Sequence, residues 1–92
     1  MYLEIVSPEA TLFSGEVTSV TVPGVNGEFQ MLKDHAPIVS LLKDGFVKIY
    51  GNIQLNEDVR DKFTKGDKDI TLLKISSGTL ELKDNKVIVL AD

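Results

Sequence analysis

With 92 residues, 14 of them acidic and 10 basic, the chain has room for a single domain and a net charge of −4. That sign excludes the basic stripe a nucleic-acid binder needs and disfavours direct docking or insertion at anionic lipid. The absence of cysteine excludes a disulfide framework, a thiolate nucleophile and any cysteine-ligated metal.

The opening MYLEIVSPEA has neither the basic region nor the long apolar stretch of a signal peptide. Leu3 and Ile5 face one way there, and Tyr2, Glu4 and Val6 the other. This period of two continues along the chain. Thr18, Val20 and Val22 alternate with Val17, Ser19 and Thr21. Val47 and Ile49 alternate with Phe46, Lys48 and Tyr50. Leu80 and Leu82 alternate with Thr79, Glu81 and Lys83. Each run predicts a short half-buried strand. Ile70–Ile75 carries apolar residues on both faces, which predicts a strand covered on both sides. The longest apolar run, Val87–Ala91, has five residues, where a membrane-spanning helix needs about 18.

Turn signals fall between the runs at Ser14-Gly15, Pro23-Gly24, Asn26-Gly27, Asp44-Gly45, Lys65-Gly66-Asp67 and Asp84-Asn85. Asp84-Asn85 suits a two-residue hairpin joining Thr79–Leu82 to Val87–Leu90. Short strands, frequent turns and no long helical pattern predict an all-β fold, an antiparallel β-sandwich of about 8–10 strands in one domain spanning residues 1–92. The acidic stretch Asn52–Asp69 departs from the alternation. It reads either as a solvated insert outside the core or as a short helix lying on the sandwich. In the helical reading, Leu55, Val59 and Phe63 share one face and Asn56 is the N-cap.

Chemistry is sparse. His35 is the only histidine, and scattered carboxylates around one imidazole have no zinc-ligand spacing. Glu57-Asp58-Val59-Arg60-Asp61 lacks the glycine and terminal glutamate of a calcium loop. Gly24-Val25-Asn26-Gly27 lacks the Lys-Ser/Thr of a phosphate-binding loop and reads as two tight turns. Asp34 adjoins His35 in sequence, which does not favour an aligned nucleophilic relay, and no serine sits in an elbow motif. No enzyme, metal or cofactor is expected. The segment from Val22 to Gly45 instead builds a polar loop stiffened by Pro37, carrying Glu28 and His35, which suits docking better than catalysis.

Five ordered blocks carry a resemblance. They are Leu3-Glu4-Ile5-Val6-Ser7-Pro8, Leu12-Phe13-Ser14-Gly15-Glu16-Val17, Gly27-Glu28-Phe29 with His35-Ala36-Pro37, Ile75–Leu82, and Lys86–Asp92. In these the chain resembles the N-terminal β-sandwich domain of the epsilon subunit of F-type ATP synthases. Ser77 stands where that family often has a glycine, and Lys33-Asp34 where it often has Pro-Gly. The family typically continues into a two-helix hairpin. The chain ends at Asp92, so a naturally short member is expected, with no residues to carry the hairpin's inhibitory role or its ATP site.

The resemblance implies a non-catalytic rotor subunit in the central stalk. It would link the c-subunit ring to the gamma subunit as a monomer within a larger complex, on the cytoplasmic side of the bacterial plasma membrane. By the same resemblance, Ser7, Glu28 and His35 would contact the c ring from one end of the sandwich. Leu41, Leu42, Ser76, Ser77, Gly78 and Thr79 would contact gamma. The alternative is a free-standing β-sandwich module that binds a small ligand or another protein.

Overall fold

The computed structural model describes residues 1–92. Ten strands follow in order: β1 Tyr2–Val6, β2 Thr11–Glu16, β3 Ser19–Gly24, β4 Gly27–Met31, β5 Ile38–Leu42, β6 Gly45–Tyr50, β7 Phe63–Lys65, β8 Ile70–Ile75, β9 Gly78–Lys83 and β10 Lys86–Ala91. The one helical element is a 3-10 turn at Arg60–Lys62.

The strands form one continuous hydrogen-bonded path, β2-β1-β10-β9-β5-β3-β6-β8-β7, with β4 on the free side of β3. The path divides at β5 and β3, which meet only at the pair Gly24–Leu42. One half, sheet I, is β2-β1-β10-β9-β5; the other, sheet II, is β4-β3-β6-β8-β7. A single cluster of 20 buried apolar residues fills the space between them. Leu3, Ile5, Leu80, Leu82, Val87 and Val89 come from sheet I, and Val20, Val22, Met31, Val47, Ile49 and Leu73 from sheet II. The expected β-sandwich is therefore a single sheet curled onto itself.

The strands are not all antiparallel. β1 runs parallel to β10, with Leu3 opposite Val87 and Ile5 opposite Val89. A parallel neighbour needs a crossover, and here the connection runs through β2 to β9, all of sheet II included. The expected turn at Ser14-Gly15 is absent, since both residues lie within β2 and pair with Glu4 and Leu3, whereas the turn at Asp84-Asn85 stands where it was expected. Asp84 and Asn85 both take positive φ, 52° and 63°, and join Lys83 to its partner Lys86. The stretch Pro23 to Gly27 forms one hairpin rather than two turns, since Gly24 pairs with Gly27. Its positive φ falls on Gly27, at 127°.

Burial modifies the alternation in two strands. β3 is buried on both faces: Val20 and Val22 point into the core, and on the other face Gln30 Nε2 covers Ser19, donating to its Oγ at 3.2 Å, while β4 and β6 close its edges. β8, expected to be covered on both sides, buries Thr71, Leu73 and Ile75 while Lys74 is exposed and Leu72 only half-buried. Its outer apolar residues lie at the surface of sheet II.

The stretch Asn52–Asp69 is neither a helix nor wholly outside the core. Val59 is 7% exposed and belongs to the central cluster, and Ile53, Leu55 and Phe63 pack against it. Asn56 acts as expected of a cap, but on a turn. Its Oδ1 accepts from the Asp58 amide at 3.0 Å, and its carbonyl accepts from the Val59 amide at 3.1 Å. The spacing of four keeps the three apolar side chains facing inward although Phe63 already belongs to edge strand β7, paired with β8.

Candidate docking surface

The strand register shows what the outer face of sheet I presents. Paired residues point to the same side, so each rung of the ladder is a row of neighbouring side chains. One rung reads Glu16, Tyr2, Lys86, Lys83. The next outward-facing rung reads Ser14, Glu4, Ile88, Glu81, Val39. The third reads Val6, Leu90, Thr79, Leu41. Polarity therefore falls along the face. At the polar end Lys86 lies 5.7 Å from the centre of the Tyr2 ring and 3.9 Å from Glu4 Oε1. At the other end Leu90 is 52% exposed and Leu41 61%, and Val39 of the middle rung, two residues from Leu41, is 77% exposed. Three large aliphatic residues left in water on one sheet face form the kind of contiguous patch that marks a protein contact.

The residues expected to contact gamma gather at this apolar end. Leu41 pairs with Thr79 and Leu42 with Gly78. Leu41 is exposed, whereas Leu42 is buried at 4% and supports the patch from below. A Cβ on Gly78 would collide with the Leu90 carbonyl oxygen, so only glycine lets β9 begin this close to β10. Ser76 and Ser77 lie beside the chain end. The Ser77 hydroxyl donates to Asp92 Oδ2 at 2.8 Å, and the Asp92 amide donates to the Ser77 carbonyl at 3.1 Å.

The sequence reading missed Val6, Val39, Ile88 and Leu90 as members of this surface. The signal was present in two strands, the apolar run Val87–Ala91 and Ile38–Leu42, where only Ser40 is polar. A half-buried strand needs apolar residues on one face only, and both runs carry them on two.

The three expected ring contacts do not share one end. Ser7 follows β1 and lies beside Leu90, Ala91, Gly78 and Thr79. Its backbone and hydroxyl close a tight turn with Ala10, the amide donating to the Ala10 carbonyl at 2.8 Å. His35 belongs to the loop joining β4 to β5, at the opposite end of sheet I. There the Asp34 amide donates to Asn85 Oδ1 at 3.0 Å, and Asn85 also accepts the Tyr2 amide. The five residues of β1 separate the two ends by about 16 Å. The reason is the parallel pairing of β1 with β10, which carries Ser7 away from the Asp84-Asn85 turn.

Glu28 lies on the outer face of sheet II at the start of β4. Its Oε2 meets Lys48 Nζ at 3.0 Å across β3. Both side chains are substantially exposed, so the pair contributes roughly 0–1 kcal/mol. Glu28 also lines a cleft with Ile38, Val39 and Ser40, the strand that follows the His35 loop. The exposed His35 ring is held by its own loop. Nδ1 lies 2.7 Å from the Ala36 carbonyl, which can only accept, so Nδ1 carries the proton and Nε2 is the ring's acceptor nitrogen. Asp34 takes a φ of 64° in this loop, a left-handed conformation that Asp tolerates better than most residues.

A small close-packed sandwich with one graded sheet face and one stiffened polar loop defines a docking domain. The chain belongs to the family of ATP synthase delta/epsilon chain beta-sandwich domains, whose model matches residues 1–92. It is 39% identical over 90 residues to the ATP synthase epsilon chain of Chlorobium limicola, covering 98% of this chain and 86% of that one. It is 37% identical over 92 residues to the ATP synthase epsilon chain of Campylobacter concisus (strain 13826), of which it spans 60%. In fold it is similar, with a TM-score of 0.71 and 13% identity, to a chain in the cryo-EM structure of the Tetrahymena thermophila mitochondrial ATP synthase central stalk and c ring. That match covers 99% of this chain and 62% of the other.

Proposed function

We propose that this chain is the epsilon-type rotor subunit of an F-type ATP synthase. It sits in the central stalk and links the c-subunit ring to the gamma subunit, so that proton-driven rotation reaches the catalytic head. It performs no chemistry itself. The observation that carries this reading is the match of the whole sandwich, residues 1–92, to relatives named ATP synthase epsilon chain. The closed core suits the task, because close-packed interiors resist deformation and transmit strain.

In this reading gamma covers the apolar end of sheet I: Leu41, Thr79 and Leu90, with Gly78 and Leu42 shaping the surface from behind. Ser7 borders the same region, and Ser76 and Ser77 reach it through their hydrogen bonds to Asp92. Glu28, at the start of β4, and His35, in the loop that follows β4, meet the polar loops of the ring. The carboxylate accepts hydrogen bonds there and the imidazole offers Nε2. The assembled complex lies on the cytoplasmic side of the bacterial plasma membrane, held there by its partners. Cysteine pairs placed at Leu41 and on gamma, and at Glu28 and on a c-subunit loop, test the arrangement. Cross-links in each pair support it, and cross-linking of Glu28 to gamma with none to c overturns it.

A further inference from the structure

A second feature is independent of the rotor surfaces. The stretch before and through β7 encloses a cleft of about 500 Å³ lined by Ile53, Gln54, Leu55, Arg60, Phe63, Lys65 and Thr71. That volume is within the range of sites for small organic molecules. Four features distinguish it from an imperfectly closed seam of the sandwich.

The first is charge. This stretch of an acidic protein carries Glu57, Asp58 and Asp61, yet the only charged residues lining the cleft are cationic, Arg60 and Lys65. Neither is in a salt bridge. The second is Thr71, which is fully buried, with an Oγ1 that has no hydrogen-bond partner. An orphaned buried hydroxyl is costly, and a ligand oxygen could satisfy it. The third is placement. Lys65 pairs directly with Thr71 across the β7–β8 ladder, so ammonium and hydroxyl belong to neighbouring side chains on one face. The fourth is the wall. Ile53, Leu55 and Phe63 are half-buried and supply an apolar, partly aromatic surface beside the cations. The site is also held in shape. Val59 is anchored in the core, and the Lys62 amide donates to the Val59 carbonyl at 3.0 Å, closing the turn that carries Arg60.

We propose that this cleft binds a small organic anion, a phosphate or carboxylate attached to a flat or apolar body. The head group lies between Arg60 and Lys65 and accepts from Thr71, while the body lies against Phe63 and Leu55. The test is a titration of the 92-residue chain followed by backbone amide NMR with three probes: AMP, octanoate and inorganic phosphate. AMP or octanoate should shift the amides of Leu55, Arg60, Phe63, Lys65 and Thr71 together, and phosphate alone should shift them more weakly. Which organic probe binds more tightly distinguishes a ring from a chain. Arg60→Gln with Lys65→Gln should weaken binding at least about tenfold, the loss of two charge-assisted contacts, with an unchanged melting temperature. Thr71→Val keeps the shape and should weaken binding while raising the melting temperature of the free chain. If the double variant melts early, Lys65→Gln alone on the exposed edge strand serves in its place. No concerted shift with either organic probe, or unaltered affinity in the cation variants, overturns the proposal.

Discussion

Replacing Leu41 and Leu90 together by serine isolates the apolar end of sheet I. The two side chains are 61% and 52% exposed, so more than half of each is still available for burial by a partner. Full burial of a leucine is worth about 1.5–3 kcal/mol, so covering what remains of both contributes about 1.7–3.4 kcal/mol to association. The double variant should bind purified gamma subunit about 15-fold to 300-fold more weakly, read by titration calorimetry. Folding should suffer less, because leucine on an exposed rung gives up only the smaller buried part, a loss of about 1–2.5 kcal/mol for the pair. Urea denaturation of the isolated chain checks that half. Gamma affinity within twofold of the unaltered chain would refute the assignment of this face. Unfolding of the double variant at room temperature would show that the row supports the fold and is not a free surface.

Three further outcomes follow from the packing. Gly78→Ala forces a methyl group onto the Leu90 carbonyl oxygen and should cost about 1–3 kcal/mol in urea denaturation, with weaker gamma binding as the β9–β10 edge shifts. Val59→Ala should cost about 2 kcal/mol, because Val59 is 7% exposed within the central cluster; a loss below about 0.5 kcal/mol would show that Asn52–Asp69 packs only loosely on it. Glu28→Ala with His35→Ala should leave the melting temperature within a few degrees, since both are exposed and the Glu28–Lys48 pair is a surface one. The same change should lower proton-driven ATP synthesis in membrane vesicles; full synthesis would remove both residues from the ring interface.

Local features were legible from the chain and non-local ones were not. Asp84-Asn85 reads as a hairpin because its positive φ is a property of those two residues. The faces of Leu3, Ile5, Leu80 and Leu82 follow from alternation alone. Alternation names a face but never a partner, so the parallel contact of β1 with β10 was not visible. That same contact carries Ser7 to the end of sheet I opposite His35, where the resemblance implied one end for both. Leu55, Val59 and Phe63 mark a buried side at spacing four. An Asx turn, a 3-10 turn and an edge strand satisfy that spacing as well as a helix does. Leu41 was expected at a contact, but its row partners Val6 and Leu90 were overlooked, because apolar residues on a second strand face look like core until the pairing shows which side is filled.

The most direct test of the central claim is the company this chain keeps in its native membrane. The chain is affinity-tagged, solubilised in mild detergent, cross-linked and purified, and the cross-linked residues are identified by mass spectrometry. The account predicts recovery of gamma and c subunits together, with gamma links near the Leu41–Thr79–Leu90 end of sheet I and c links near Glu28 and His35. Recovery of the chain without gamma or c subunits would contradict it.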